Sequence, residues 1–326
     1  MVPRPRPPGT LADGLVGPLQ IDVGAWGNVL VAQDFIGTLS EVRHDGTVKD
    51  LASNGGEVAG VAYGPFGIKF FTQGPGEAGA DVPTSLVALL PNGRQKVIAD
   101  LGAYEASKNP DQVISYGLQG ASQDCLDQWP TDQFGPPVYT GQVDSHPYAL
   151  ATTPFGLFVA DAAGNDILFV DWFGHIRTVA VLPAVPVTVT QELADLYGLP
   201  QCVVGLTNLF EGVPTDVELG PDGSLYVSSL PGGEVPEAGS VLKINPFTGR
   251  IRTVGGGLNL ATNVAVAPNG TVYAAELGAN RVSKVTAAGP VPVADVNEPG
   301  GLEWANGRLY ATADIFGSGK IVTLAP

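Results

Sequence analysis

Short runs of alternating apolar and polar residues recur along the chain, and each leads through a tight turn into a second apolar run. The clearest examples are residues 213–228, which turn at Pro-Asp-Gly, and residues 261–276, which turn at Pro-Asn-Gly. Residues 145–161 and 298–312 follow the same plan, and weaker copies begin near residues 17 and 58. Alternation with a period of two places one face of a strand inward, and these turn sequences are typical of hairpins. The pattern therefore predicts repeated antiparallel strand pairs.

A large apolar residue marks the second strand of each repeat. The six positions are Leu30, Phe70, Phe158, Tyr226, Tyr273 and Tyr310. Repeats of about 40 to 45 residues with four strands are typical of propeller blades. We therefore predict an all-β fold, a six-bladed β-propeller of four-stranded blades.

The two longest spacings between these positions predict insertions at about residues 104–143 and 187–212, and residues 191–197 are expected to form a short helix. The chain ends after only three strands of its last repeat. We expect the N-terminal strand, near Thr10–Asp13, to complete the last blade, because this would remove an open sheet edge. Residues 1–9 are predicted to be a flexible tail, and residues 10–326 a single propeller.

Composition agrees with this fold and excludes several others. The 326 residues include 44 Gly and 28 Pro, which disfavour a helical bundle, and 44% are hydrophobic, which argues against disorder. The formal charge of −16 makes nucleic acid a poor partner. No run approaches the roughly 20 apolar residues of a membrane helix. We expect a monomer that does not span a membrane.

Two cysteines, Cys125 and Cys202, lie in the predicted insertions and have neither CxxC nor zinc-site spacing. Together with few Lys residues and many Gly and Pro residues, they favour an exported protein with one disulfide. The alternative is two free thiols in a cytosolic protein. Residues 1–8 lack the apolar segment of a signal peptide, so the prediction of a secreted or extracytoplasmic protein rests on composition.

First strands line a propeller channel, so residues at their entry should converge on one mouth. Asp144, Asp216, Asn263 and Glu298 occupy such positions, and their oxygens are ligands that Ca²⁺ or Mg²⁺ would take. The alternative is that Asp216 and Asn263 satisfy backbone amides in turns.

His146 is a candidate general base, because Pro147 holds it in extended backbone and because histidine titrates near neutral pH. We expect Asp144 or Glu298 to orient the ring; the alternative is a hydrogen-bonded strand-entry residue. Trp129, Tyr148, Thr215 and Thr262 are candidate substrate-binding residues. Trp129 belongs to an aromatic segment, residues 116–139, that would form a lid or a partner surface.

Five segments carry a resemblance to a known family: residues 103–111 (Ala-Tyr-Glu-Ala-Ser-Lys-Asn-Pro-Asp), 143–148 (Val-Asp-Ser-His-Pro-Tyr), 159–166 (Val-Ala-Asp-Ala-Ala-Gly-Asn-Asp), 213–217 and 220–223. In these segments the chain resembles the ScyD/ScyE family of exported proteins. The resemblance covers nearly the whole chain, which departs from the family pattern by a long insertion at residues 112–142. It implies an NHL-like propeller and export, and no reaction. More remotely, the repeats look like virginiamycin B lyase and gluconolactonase-type propellers, which include metal-dependent enzymes.

Two functions follow as hypotheses. In the first, the protein binds a small molecule or a protein partner at the channel mouth and the inserted loops. In the second, it is a divalent-metal-dependent lyase or lactonase-type hydrolase, in which His146 moves the proton at the channel mouth.

Overall fold

The computed structural model describes residues 9–76 and 79–325, which form seven four-stranded antiparallel sheets. In chain order the strands are β1 (Gly9–Leu15), β2 (Pro18–Val23), β3 (Val29–Gln33), β4 (Thr38–Val42), β5 (Val48–Ser53), β6 (Glu57–Tyr63), β7 (Lys69–Gly74), β8 (Ser85–Leu89), β9 (Gln95–Asp100), β10 (Ser115–Gln119), β11 (Val138–Thr140), β12 (Pro147–Thr153), β13 (Gly156–Asp161), β14 (Asp166–Asp171), β15 (Ile176–Val181), β16 (Val185–Thr188), β17 (Thr207–Phe210), β18 (Pro214–Leu219), β19 (Leu225–Ser229), β20 (Gly239–Ile244), β21 (Ile251–Leu258), β22 (Ala261–Val266), β23 (Val272–Glu276), β24 (Arg281–Thr286), β25 (Gly289–Asp295), β26 (Leu302–Ala305), β27 (Arg308–Ala313) and β28 (Gly319–Leu324). The α-helices are α1 (Leu101–Lys108), α2 (Gln123–Leu126), α3 (Thr131–Phe134) and α4 (Gln191–Tyr197).

Five sheets follow the chain strand by strand, and we call them sheet I (β2–β5), sheet II (β6–β9), sheet III (β12–β15), sheet IV (β18–β21) and sheet V (β22–β25). Sheet VI has the order β26-β27-β28-β1, so the first strand of the chain pairs with the last, with Gly9 opposite Thr323. This confirms that the N-terminal strand completes the last repeat. The predicted tail lies outside the described residues except for Gly9, which begins β1.

The first strand of each sheet packs against the first strand of the next, in the order β2, β6, β12, β18, β22 and β26, and β26 packs against β2 again. The apolar core lies between neighbouring sheets. One cluster joins sheets III and IV, for example, and another joins sheet VI to sheet I. The six repeat positions predicted from sequence are all buried in second strands, because there they fill these interfaces.

The sheets define two ends of the molecule. Hairpins between first and second strands and between third and fourth strands lie at one end, which we call the exit end. All other connections, including both insertions, lie at the opposite entry end, because successive strands in these sheets run in opposite directions. Gly223 shows why the hairpins need glycine: it closes the Pro-Asp-Gly turn with a φ of 74°, a region that residues with a Cβ rarely adopt.

The two insertions come together as the inserted sheet, with the order β11-β10-β17-β16. A disulfide between Cys125 and Cys202 joins them, which confirms the pairing expected from sequence. Helix α4 confirms the helix predicted at residues 191–197. The sheet itself was not predicted, since β10 and β17 pair across almost 90 residues of sequence. Within the described part of the chain, no helix is both long enough and apolar enough to cross a membrane.

Candidate functional site

His146 and Glu57 meet at the entry end, where the loop before β12 in sheet III approaches the first residue of β6 in sheet II. The ring Nε2 of His146 contacts Oε1 of Glu57. Asp161, at the end of β13, accepts hydrogen bonds from the backbone N–H of His146 at 2.7 Å and from the hydroxyl of Ser145 at 2.6 Å. The carboxylate that orients His146 is therefore Glu57, and not Asp144 or Glu298 as expected from sequence.

Charge around His146 favours its protonated form. Burial lowers the pKa of His146, but the hydrogen bond and the charge of Glu57, with smaller contributions from Asp34 and Asp161, raise it above the usual 6.5 overall. Tyr148 places its ring edge-on to the imidazole, with the ring centroids 5.4 Å apart. Burial, together with the charges of Asp34 and Glu57, raises the pKa of Tyr148. The site therefore pairs an imidazole with a carboxylate, and the raised pKa of His146 favours the charged form of the ring.

A small open cavity gives this pair access to solution. Its volume is about 240 Å³, and its lining includes Glu57, Gln73, Asp144, Ser145 and His146. The side chain of His146 is 43% exposed. A bound molecule in this cavity would therefore meet both members of the pair.

Below the mouth, Gln20 bridges the channel. Its Nε2 donates to the carbonyl of Thr215 in sheet IV at 2.8 Å, and its Oε1 accepts from Nδ2 of Asn263 in sheet V at 2.8 Å. Oδ1 of Asn263 accepts from the backbone N–H of Leu302 in sheet VI at 2.9 Å. Both polar atoms of the Asn263 amide thus join sheets I, V and VI, and Gln20 extends the network to sheet IV.

Four carboxyl groups line a second cavity of about 250 Å³ inside the channel: Asp22, Asp216, Glu218 and Glu303. Burial raises the pKa of Asp22 to about 6 and that of Asp216 to about 7. Each carboxylate also accepts a hydrogen bond from a backbone N–H, which lowers its pKa but does not cancel the effect of burial. Burial also raises the pKa of Glu218 and Glu303. The four groups resist ionising together, because like charges in a buried space repel.

The predicted metal ligands do not share one cavity. Asp144 lines the cavity of His146, whereas Asp216 lines the channel cavity, and its Oδ2 accepts the N–H of Val264. Glu298 lies in the loop before β26, where its N–H donates to Asn280. Among residues 9–76 and 79–325, no group of three or more His, Cys, Asp or Glu residues is arranged to hold a metal ion. These residues therefore do not form one ready-made ligand set, and calcium or magnesium binding stays a prediction.

The hydroxyls of the two predicted threonines point into the protein. Thr215 donates to the carbonyl of Ala261 at 3.0 Å, and Thr262 donates to the carbonyl of Gly300 at 2.9 Å. The first bond joins β18 to β22, and the second joins β22 to the loop before β26. Trp129, in contrast, lines a cavity.

That cavity lies in the inserted sheet and has a volume of about 250 Å³. Its wall is mostly apolar, and its aromatic members are Trp129, Phe134, Tyr139, Tyr197 and Phe210. Glu211 is the one charged residue in the lining. The hydroxyl of Tyr139 hydrogen bonds to the Glu211 carboxylate, and burial raises the pKa of that carboxyl.

A buried acidic cluster beneath the inserted sheet was not recognised from sequence as a unit. Glu105, Asp111, Asp161 and Asp166 are all at least nine-tenths buried. No described residue hydrogen bonds to Oε1 of Glu105 or to Oδ1 of Asp111. The signal was present in residues 103–111 and 159–166, whose acidic positions supplied part of the family resemblance, but nothing in the sequence showed that the two segments meet.

Comparison with solved structures identifies the fold. A catalytically inactive histidine-to-alanine variant of virginiamycin B lyase from Staphylococcus aureus, with quinupristin, is 17% identical and matches 98% of each chain with a TM-score of 0.52. A gluconolactonase from Xanthomonas campestris is 12% identical and matches 97% of this chain and 88% of that chain with a TM-score of 0.58. A streptogramin B lyase is 18% identical and matches 98% of this chain and 96% of that chain with a TM-score of 0.53. The fold is that of a β-propeller.

At these identities the likeness extends to the fold alone. No family model matches the chain, and no curated protein matches it by sequence. The resemblance to the ScyD/ScyE family therefore stays a prediction.

Proposed function

We propose that the chain is an exported, monomeric, six-bladed propeller of the ScyD/ScyE type that binds a small, largely apolar ligand at its entry end. Sheets I to VI would be the blades, and the inserted sheet would be an accessory layer. The circular order of the first strands and the pairing of β1 with β28 support this count. The disulfide is compatible with a location outside the cytoplasm.

The observation that carries the binding proposal is the aromatic cavity of the inserted sheet. Ligand cavities are mostly apolar, with a few polar groups that orient the ligand, and this one combines five aromatic rings with a single carboxylate. Most of its lining comes from the two insertions, which the disulfide holds together, and the rest comes from the loop between β19 and β20. Packing alone does not explain the space, because protein interiors are normally filled.

Glu211 defines the polar end of the ligand. A carboxylate with a hydrogen-bonded tyrosine favours a donor or a positively charged group, and aromatic faces attract cations as well. The formal charge of −16 also raises the local concentration of cations over anions. The best-fitting ligand is therefore a small aromatic or alkyl amine.

Calorimetric titration with three matched probes tests this: phenethylamine, phenethyl alcohol and 3-phenylpropionate. We expect the amine to bind best and the carboxylate to bind worst. Glu211→Gln should weaken the amine about tenfold or more, which corresponds to the loss of one charged hydrogen bond. Trp129→Ala should weaken all ligands that bind.

Trp26→Ala, an exposed tryptophan at the exit end, is the matched control and should change nothing. If the amine and the alcohol bind equally well, and Glu211→Gln changes neither affinity, the cavity is an apolar site without a preference for amines. If none of the three probes binds, the ligand proposal itself is wrong.

The His146–Glu57 pair favours a second candidate, a lyase or lactonase-type hydrolase. In this role Glu57 holds the ring while His146 takes a proton from substrate or returns it. Tyr148 packs edge-on against the ring, and Asp144 lines the same cavity as His146. Calcium or magnesium bound by Asp144, Asp216, Asn263 and Glu298 stays a prediction, and the proton transfer described here involves only the pair.

Quinupristin and gluconolactone are the substrates to try, because the named structural neighbours suggest them. Turnover should fall at least about a hundredfold in His146→Ala and in Glu57→Gln, whereas His175→Ala at the exit end should be unaffected. Each substrate should be tested with added calcium, with added magnesium and with neither ion. If no turnover is seen under any of these conditions, this candidate is wrong.

A further inference from the structure

The exit end carries a set of aromatic side chains that are largely exposed to solvent. Trp26, Phe66, Phe155, Phe173 and Phe247 are each between 77% and 92% exposed. All five sit in hairpins of sheets I to IV. Exposed aromatics at the entry end, Phe35, Phe134 and Phe316, are covered more fully. A soluble surface rarely gathers large apolar side chains on one face without a partner.

Phe66, one of these five residues, has an unfavourable backbone conformation. Its φ is 58°, in the left-handed region where a bulky side chain is disfavoured and glycine or asparagine is usual. Phe66 is 92% exposed, so its side chain gains little within the protein that would offset this backbone conformation. An aromatic ring projecting from a tight turn is therefore better explained by a contact outside the chain.

Charge separates the two ends of the molecule. The described connections of the entry end contain fifteen Asp or Glu residues and one Lys. The exit hairpins contain three arginines, Arg43, Arg94 and Arg250, against two aspartates, and they hold two of the three histidines. The exit end is thus the part of this acidic protein that a negatively charged surface would not repel.

We infer that the exit end docks on the surface of an anionic phospholipid bilayer, with the aromatic hairpin tips inserted at the headgroup level and the three arginines near the lipid phosphates. Aromatic rings favour the membrane interface. Basic side chains add electrostatic attraction to anionic lipid, which falls with salt. The acidic entry end would then face the solution.

Vesicle flotation tests this with the intact chain. Phosphatidylcholine vesicles with phosphatidylglycerol should bind the protein, and vesicles of phosphatidylcholine alone should bind it more weakly. The double variant Phe66→Ser with Phe173→Ser should reduce binding about tenfold or more, because two inserted rings are lost. Arg94→Gln with Arg250→Gln should weaken binding and flatten its dependence on salt.

The control is Phe35→Ser with Phe316→Ser, a stacked pair of exposed rings at the entry end, which should bind vesicles as the wild type does. Trp26→Ser with Phe247→Ser is a second exit-end pair, for use if the first variant does not fold. Absence of binding to anionic vesicles overturns the inference, as does equal loss in the entry-end control. Sedimentation that shows a dimer abolished by the exit-end variants would also overturn it, by assigning this face to a second copy of the chain.

Discussion

Replacing Glu105 by glutamine should stabilise the protein, and more so at high pH. Glu105 lies on α1, is 3% exposed, and has no described hydrogen-bond partner at Oε1. Burial, and then the charges of Asp161, Asp111 and Asp144, raise its pKa from 4.5 to about 7. Glutamine keeps the shape of the side chain and removes the charge.

The size and sign of the effect follow from proton linkage. A pKa raised from 4.5 to about 7 corresponds to about 3 kcal/mol between the two protonation states. The unfolded chain releases this proton near pH 4.5, whereas the folded chain keeps it until near pH 7. Stability is therefore lost as pH rises through this window. Glutamine has no proton to lose, so its advantage should be below about 1 kcal/mol at pH 5 and about 3 kcal/mol at pH 8.

Urea unfolding at pH 5 and pH 8 measures both values, and thermal unfolding at pH 8 should show a rise on the order of 5 °C. Asp132→Asn, at an exposed site on α3 in the same insertion, is the control and should leave the pH dependence unchanged. An equal gain at both pH values, or a loss at pH 8, would refute the argument that burial of the Glu105 charge, together with repulsion by its acidic neighbours, opposes folding.

Two further predictions concern contacts that hold the molecule together. The double variant Cys125→Ala with Cys202→Ala removes a bridge across 77 residues and should lower stability by about 4 kcal/mol; unchanged thermal unfolding would contradict it. Asn263→Ala leaves Oε1 of Gln20 and the N–H of Leu302 without their partner and should cost about 2 to 3 kcal/mol, measured by urea unfolding; a loss below about 0.5 kcal/mol would show that water replaces the amide.

Local patterns predicted the repeating sheets well. Alternation and Pro-Asp-Gly turns depend on neighbouring residues only, so residues 213–228 could be read as β18, a hairpin and β19 without any knowledge of the rest. The same reasoning placed the six buried repeat positions and the N-terminal strand. It failed for the inserted sheet, because β10 and β11 are short and β10 gains its second partner, β17, from a distant segment.

The candidate site was predicted in part. Residue type and the following proline pointed to His146, but its partner Glu57 comes from another sheet, and no sequence spacing reveals that contact. The metal hypothesis assumed that equivalent repeat positions face one point. In the structure, Asp216 and Asn263 each direct one oxygen to the backbone of the next sheet. Polar side chains in these positions therefore join neighbouring sheets, and their binding of a metal ion stays a prediction.

The separation of charge links the two proposals. If the exit end rests on lipid, the aromatic cavity and the His146–Glu57 pair face the solution, where the acidic connections attract cations and repel anions. Salt should then weaken both lipid docking and amine binding, since each depends on screened charge. A neutral aromatic ligand would bind the cavity equally at low and high salt. In the described connections, negative charge is thus concentrated at the entry end, where it would select what approaches, and is nearly absent from the exit end, which would meet the membrane.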